Sequence, residues 1–428
     1  MLKRWAESTE MAQNPVGSPL SAEIDETTLY LTAREAAAEL GVSLATLYAY
    51  VSRDLLQSEP VPGSRAKRYR ASDIRDLKMR RGWRGPAENT PSLAFGAPVL
   101  DSAITLIAEG RLFYRGADAA ELSESMSLEQ IAALLWGASE RNPFADDSAL
   151  PETLVLERLR EVAVHLSPLA RVQTILPAAA LSDRAIYQRT PDGLARAGAH
   201  ILRLAVGAAV GEAAGKRSAH ERLADALAPR DKHAPELIRK ALVLAADHEL
   251  NPSTFAVRCA AGTGANLYQA VLAGLATLQG PRHGGYSTQV EALLSEIAHR
   301  DDTEHAVLER LGDNAAVPGF GHPLYPDGDP RARAIMAALE QSHGEIVRFR
   351  QAARAARVMR EAAGLHPNLD YSLASLAAAL DAPKGTAITL FGIGRIAGWI
   401  AHALEQTASG AMIRPRARYI GPTPRHMA

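Results

Sequence analysis

Seven side chains stand where the backbone around them favours chemistry. His283 follows Gly280-Pro281-Arg282 and precedes Gly284-Gly285. Proline and glycine end the helical pattern before it. A helical period resumes from Tyr286 to Ile297, with Val290, Leu293, Leu294 and Ile297 on one side. An imidazole is thereby expected at a helix N-terminus, where developing negative charge is stabilised. The same field is expected to hold the ring neutral, a hydrogen-bond donor that keeps its proton. The paired glycines would let a ligand approach backbone N–H groups. His322 lies in a second glycine-rich loop, Pro318-Gly319-Phe320-Gly321-His322-Pro323, and Asp329-Pro330-Arg331 starts a helix with proline in its first turn. His248 stands between Asp247 and Glu249 where a helix is about to break; this is not the i, i+4 pair of a helical zinc site. Asp370, after Pro367-Asn368-Leu369, is either a chemical carboxylate or an ordinary helix cap. Arg395 lies in an apolar stretch running to His402, and a buried guanidinium must meet an anionic ligand or a carboxylate. Ile413-Arg414-Pro415-Arg416 adds cations near the end of the chain.

The elements that must position these groups read as helices. The chain has 428 residues, enough for two or three cores, with 47% hydrophobic but only 5% aromatic residues. Recurring Ala, Leu, Glu and Arg favour helix over sheet. Ser127 caps a helix carrying Ile131, Leu134 and Leu135, and long Ala/Leu-periodic segments follow through 155–228 and 234–247, with breaks expected at Pro177, Pro191, Gly211 and Gly215. Residues 109–116 alternate apolar and polar between glycines and read as a short strand or hairpin arm. Cys259 is the single cysteine, which fits a reducing, cytoplasmic setting and a small apolar packing role. Met1 to Glu10 has no apolar signal core, and no apolar run approaches the roughly 20 residues of a membrane span, so no membrane association is expected.

Net charge is −1 but unevenly spread: residues 29–84 hold 11 Lys+Arg against 6 Asp+Glu. Residues 1–28 lack periodicity and read as a mobile tail. In 29–81, Thr32-Ala33-Arg34-Glu35 fits a capping box, with Ala36, Ala37 and Leu40 as the apolar face of the helix. Gly41 ends it, and Ser43 caps a second helix carrying Leu44, Leu47, Tyr48 and Val51. A turn at Pro60-Val61-Pro62-Gly63, a basic strand at Arg65–Arg70 and a helix from Ile74 to Arg80 capped by Ser72-Asp73 complete the module. It resembles winged helix-turn-helix modules of the MerR and excisionase type, which implies DNA as a partner. The alternative is a packing module with a solvated basic rim. Residues 82–95 read as a linker.

From about residue 100 to 422 the motifs, in their order, resemble the citrate synthase family. The carrying stretches are 109–116, Ala246-Asp247-His248-Glu249, the 280–285 and 319–331 loops, 367–371, 394–405 and Arg414-Pro415-Arg416. The resemblance implies an all-α fold over 96–428, with a small domain inserted at roughly 250–358 that closes with the large one over the substrates. It implies a homodimer with shared active sites. It implies that Asp370 removes a proton from the acetyl-CoA methyl, that His283 hydrogen-bonds the thioester oxygen, and that His322 polarises the oxaloacetate ketone. His248, Arg331, Arg395 and, from a second subunit, Arg414 would hold the oxaloacetate carboxylates. No metal or redox cofactor is implied; the CoA thioester is a substrate. Relatives place a basic residue shortly after the second loop histidine, where it meets CoA phosphates. Here stand Pro323, Leu324, Tyr325 and Pro326, with Arg282 or Lys384 as candidate replacements.

The residue types suit that reaction. A thioester methyl is a very weak carbon acid, so a carboxylate needs a donor aimed at the oxygen that gains charge. Planar guanidinium forks hold carboxylates in fixed orientation. Propionyl-CoA, giving 2-methylcitrate, is an alternative substrate, since one methylene provides only about 1–3 kcal/mol of discrimination. A metabolite-sensing DNA-binding regulator is the alternative from another class.

Overall fold

The structure, a computed structural model, describes residues 30–40, 42–52, 55–61, 66–70, 73–74, 77, 100–145, 153–300, 302–312, 317–416 and 421. The expected tail, Gly41, Pro62 and Gly63 of the expected turn, Arg65 of the basic strand, Ser72, most of the helix expected from Ile74 to Arg80 and the linker lie outside these. The chain divides into two compact units, Met1–Arg81 and Gly82–Ala428.

In the first unit, strand β1 (Tyr30–Thr32) runs into helix Ala33–Glu39 through the expected capping box of Thr32 and Glu35. A second helix, Leu44–Ser52, starts with the Thr46 N–H donating to Ser43 Oγ at 3.2 Å. Strands β2 (Glu59–Pro60) and β3 (Lys67–Arg70) complete an antiparallel sheet in the order β1-β3-β2, with Leu31 opposite Tyr69. Ala36, Ala37, Leu40, Leu47 and Tyr69 form its core with Leu56, Ile74 and Leu77. Leu44 and Tyr48, expected on the apolar face of the second helix, are instead 38% and 51% exposed. The basic strand is partly neutralised, because Glu59 accepts from Tyr30 at 2.8 Å, Arg68 at 3.2 Å and Arg70 at 2.9 Å.

The second unit opens with a meander of β4 (Thr105–Ala108), β5 (Arg111–Tyr114) and β6 (Ala117–Asp118). Its first turn, Glu109-Gly110, takes left-handed backbone at both residues. The rest is helical. At the centre lies Thr386–Ser409, packed against Leu128–Leu135, Pro191–Val210, Ala234–Ala245, Pro252–Gly262, Leu267–Leu278 and Leu369–Ala379. Its glycines allow backbone-close packing: a Cβ on Gly398 would lie 2.5 Å from Ala246 O and 2.2 Å from Asp247 Oδ1. The Gly398 N–H donates to Ala246 O at 3.0 Å, which pins the corner carrying His248. A smaller core of Leu293, Ile297, Val307, Ala355, Val358, Met359 and Ala363 joins Tyr286–Ala298, Thr303–Gly312 and Val347–Ala363.

Two sequence expectations change here. Pro177 does not break a helix; it lies inside Pro168–Ser182, where buried Ile175, Leu176 and Ala179 outweigh the lost hydrogen bond. Pro191–Val210 and Thr386–Ser409 are long and apolar enough, by length and composition, to cross a membrane, against the reading that no such run exists. Their most apolar windows are 78% and 89% buried within the fold, so they serve here as core helices.

Candidate active site

The corner 246–251 is built by buried polar contacts. Asp247 is fully buried, and its Oδ2 accepts from Thr105 Oγ1 at 2.6 Å and His402 Nε2 at 3.3 Å. Burial opposes ionisation of Asp247, but His402 and Arg395 outweigh it and hold the carboxyl low. The Tyr114 hydroxyl reaches Val243 O at 3.0 Å and ties β5 to the same corner. Glu249 takes a left-handed φ of 54°, a strain held by its N–H to Asp247 Oδ2 at 3.2 Å. His248 between them is buried, not a surface helix end, and its Nε2 lies 3.0 Å from the Tyr325 hydroxyl.

His322 is brought to His248 by the second loop, with ring centroids 5.1 Å apart. Its Nδ1 accepts the Leu324 N–H at 3.1 Å, which leaves the ring proton on Nε2 as a donor. Burial, then Arg331, pushes His322 down to about 4. Burial first, then Arg331 and the neighbouring histidines, holds His248 well below the usual range.

His283 lies ahead of Tyr286–Ala298, as expected, and burial, then Arg395, pushes it down to about 4. The two glycines serve a different purpose. A Cβ on Gly284 would lie 2.5 Å from Leu278 Cδ1, and one on Gly285 2.5 Å from Gln279 O, so they let the turn pack tightly against the end of the preceding helix. His283 Nε2 lies 2.8 Å from Ser253 Oγ, which also receives the Trp399 indole N–H at 3.2 Å. The serine proton can go to His283 or to Asn251 Oδ1, 2.7 Å away. When it goes to His283, the ring carries its own proton on Nδ1.

Arg331 and Asp329 form a buried fork, Nε to Oδ1 at 2.9 Å and Nη2 to Oδ2 at 2.7 Å. Asp329 Oδ2 also accepts the Leu369 N–H at 3.1 Å, fixing the start of Leu369–Ala379. The cap of that helix is Asn368; Asp370 stands inside its first turn. Asp370 Oδ1 accepts the Ser287 hydroxyl. Loss of water raises the Asp370 carboxyl to about 6, against the pull of Ser287, Arg331 and Arg395.

Arg395 is 1% exposed. Its Nε donates to Ala245 O at 2.8 Å, its guanidinium stacks 4.8 Å from the Phe391 ring centre, and Nη2 has no partner. No carboxylate lies within ion-pair distance among the described residues, and burial pushes the group down to about 10. The His283 ring meets the same Phe391 at 6.0 Å. His248, His283, His322, Arg331, Asp370 and Arg395 are therefore brought together. Arg414 is not; it is exposed, with no partner among the described residues. Arg282 and Lys384 are exposed as well. Sequence reasoning passed over Ser253, Ser287, Tyr325 and Asp329 as functional residues. Asp329 was the most findable, as an acid two residues before an arginine at a helix start. Among the described residues no group of three His, Cys, Asp or Glu side chains could hold a metal ion.

Such a helical body, with histidines and a carboxyl gathered round a buried guanidinium, defines a mainly helical protein with an acid–base cluster beside an anion-binding cation. The family model for the citrate synthase C-terminal domain matches residues 94–416. Citrate synthase 2 of Bacillus subtilis is 28% identical over 361 residues, 76% of this chain and 95% of that protein. Citrate synthase of Haloferax volcanii is 32% identical over 73% of this chain and 90% of its own length. The 2-methylcitrate synthase of Shewanella oneidensis is 27% identical over 73% and 90%. The crystal structure of citrate synthase from Thermotoga maritima superposes with a TM-score of 0.65 at 26% identity, covering 78% of this chain and 97% of that one. The chain belongs to the citrate synthase family.

Proposed function

We propose that the chain condenses oxaloacetate with acetyl-CoA and water to give citrate and CoA. The observation that carries this is Arg395, a buried cation with an unpartnered N–H and, among the described residues, no carboxylate within ion-pair distance. A desolvated guanidinium is stable only when an anion completes it, and one oxaloacetate carboxylate is that anion. Arg331, already oriented by Asp329, and His248 bind the rest of the dianion. His322 Nε2–H is aimed at the ketone oxygen and supplies the proton as it becomes an alkoxide. Asp370, more basic than a free carboxylate, takes the methyl proton of the thioester. His283 donates Nδ1–H to the thioester oxygen while the enolate forms, a type of stabilisation often worth about 3 kcal/mol. The new carbon–carbon bond gives citryl-CoA, which water cleaves to citrate and CoA thiol. No metal or redox group enters these steps. Two copies form the working unit, in the cytoplasm, with Arg414 contributed to the site of the second copy; its exposed position supports this.

The test is thiol release with acetyl-CoA. Release that requires oxaloacetate supports the reading, and release without it contradicts it. Propionyl-CoA is the second substrate to assay, because a 2-methylcitrate synthase is among the relatives. A higher kcat/KM for propionyl-CoA would move the assignment to 2-methylcitrate.

A second reading concerns residues 29–81, which we propose are a winged helix-turn-helix module that binds DNA. The two short helices and the basic strand after them support it. The Glu59 contacts to Arg68 and Arg70 take up part of its field, so fewer phosphates are neutralised and retention should fall with salt, but not steeply. Mobility shifts with genomic fragments that show no salt-sensitive, sequence-selective band would sink it.

A further inference from the structure

Resting on the reading of Asp370 as the base, we propose that Ser287 is a positioning residue for it: its hydroxyl occupies one carboxylate oxygen, leaves the other for the substrate, and ties the base to the turn that carries His283. Ser287 is fully buried at the second position of Tyr286–Ala298. Its N–H donates to Gly284 O at 3.0 Å, and the Tyr286 N–H to His283 O at 2.9 Å, so serine and histidine share one turn of backbone. A hydroxyl has one proton, and this one goes to Asp370 Oδ1, 83 residues away in sequence. No other donor to the carboxylate is present among the described residues, which leaves Oδ2 open for the proton that the reaction removes. The contact therefore joins the group that takes the proton to the group that steadies the resulting oxygen charge. Neither can shift without moving the other.

The groups facing Asp370 make its titration readable. Arg331 and Arg395 reach it from Pro330–His343 and Thr386–Ser409, Asp329 from the cap of the first of these, and Tyr286 from beside Ser287. Arg331 and Arg395 stay charged, Asp329 is held low and stays ionised, and Tyr286 is raised and stays neutral. Asp370 at about 6 is thus the one among them that changes charge between pH 5 and pH 8. The serine hydroxyl stabilises the ionised form, so removing it raises the carboxyl further.

The experiment is the pH profile of kcat/KM for thiol release by the full chain at saturating oxaloacetate, for wild type, Ser287→Ala, Ser287→Cys and Ser287→Thr, with thermal unfolding measured alongside. In Ser287→Ala the acidic limb moves up by about one pH unit, about a tenfold loss of rate below the limb. Ser287→Thr, which keeps the hydroxyl, returns the limb to the wild-type position. If the alanine variant does not fold, the weak-donor cysteine variant carries the test, with an upward shift of smaller size. A folded alanine or cysteine variant with the wild-type limb overturns the proposal, as does a folded threonine variant that shifts like alanine. Asp370→Asn separates this from failure of the underlying reading: full turnover in that variant removes Asp370 as the base whatever Ser287 does.

Discussion

Arg331 and Arg395 are almost equally buried, at 3% and 1% exposure, yet their surroundings are opposite. Arg331 is gripped by Asp329 through two parallel hydrogen bonds, which raise its pKa and lower that of its partner. That corner is electrostatically complete without a ligand. It also holds the start of Leu369–Ala379 through the Leu369 N–H, so it sets where Asp370 stands. The Arg395 corner offers a backbone carbonyl and an aromatic face, and among the described residues no carboxylate within ion-pair distance; Asp247 and Asp370 act on it only from further away. A buried cation in such a place destabilises the empty protein and favours any anion that fits. One guanidinium is thus held by the architecture before any ligand arrives and the other is left incomplete until one does, and composition alone does not tell them apart.

The largest expected effect breaks the complete corner. Arg331→Gln leaves Asp329 buried and unpaired, a cost of about 3–5 kcal/mol. Thermal unfolding of the variant should fall by about 5 °C or more at neutral pH. An unchanged midpoint would show that Asp329 does not depend on its partner.

A smaller effect of opposite sign comes from the base. The Asp370 carboxyl lies at about 6 in the native state against a model-peptide value of 3.8. The native state therefore binds more protons than the unfolded one between these values, and stability falls as pH rises through that window. Above about pH 6 the penalty is full, on the order of 2 kcal/mol for this partly accessible group, and below pH 3.8 it is absent. Asp370→Asn should accordingly unfold later than wild type at pH 7.5 and together with it near pH 4. A variant less stable at pH 7.5 would mean that the carboxylate contributes to the fold.

The same contrast explains what the sequence made legible. Helix ends were readable because their signals are local: Thr32 with Glu35 and Ser127 act as caps, and Pro191 marks a helix boundary, where their residue types place them. The site histidines, Asp370 and Arg395 were readable as candidates because glycine-rich loops and an arginine in an apolar run are unusual. Tertiary contacts were not readable. Nothing near Ser287 in sequence points to Asp370, and Gly284 and Gly285 look like room for a ligand until Leu278 and Gln279 are seen against them. Pro177 misled because packing outweighed its local preference. Strand β4 was missed because Thr105–Ala108 has no alternation before its turn, only a partner in β5.

The most direct measurement is a calorimetric titration of oxaloacetate into wild type and Arg395→Gln, with Arg331 untouched in both. If the unpartnered guanidinium awaits a carboxylate, the variant should bind roughly 10- to 150-fold more weakly, as loss of a charged hydrogen bond predicts, while its unfolding midpoint without ligand stays level or rises. Equal affinity in the two proteins would contradict the assignment of Arg395 to oxaloacetate, and with it the account of this site.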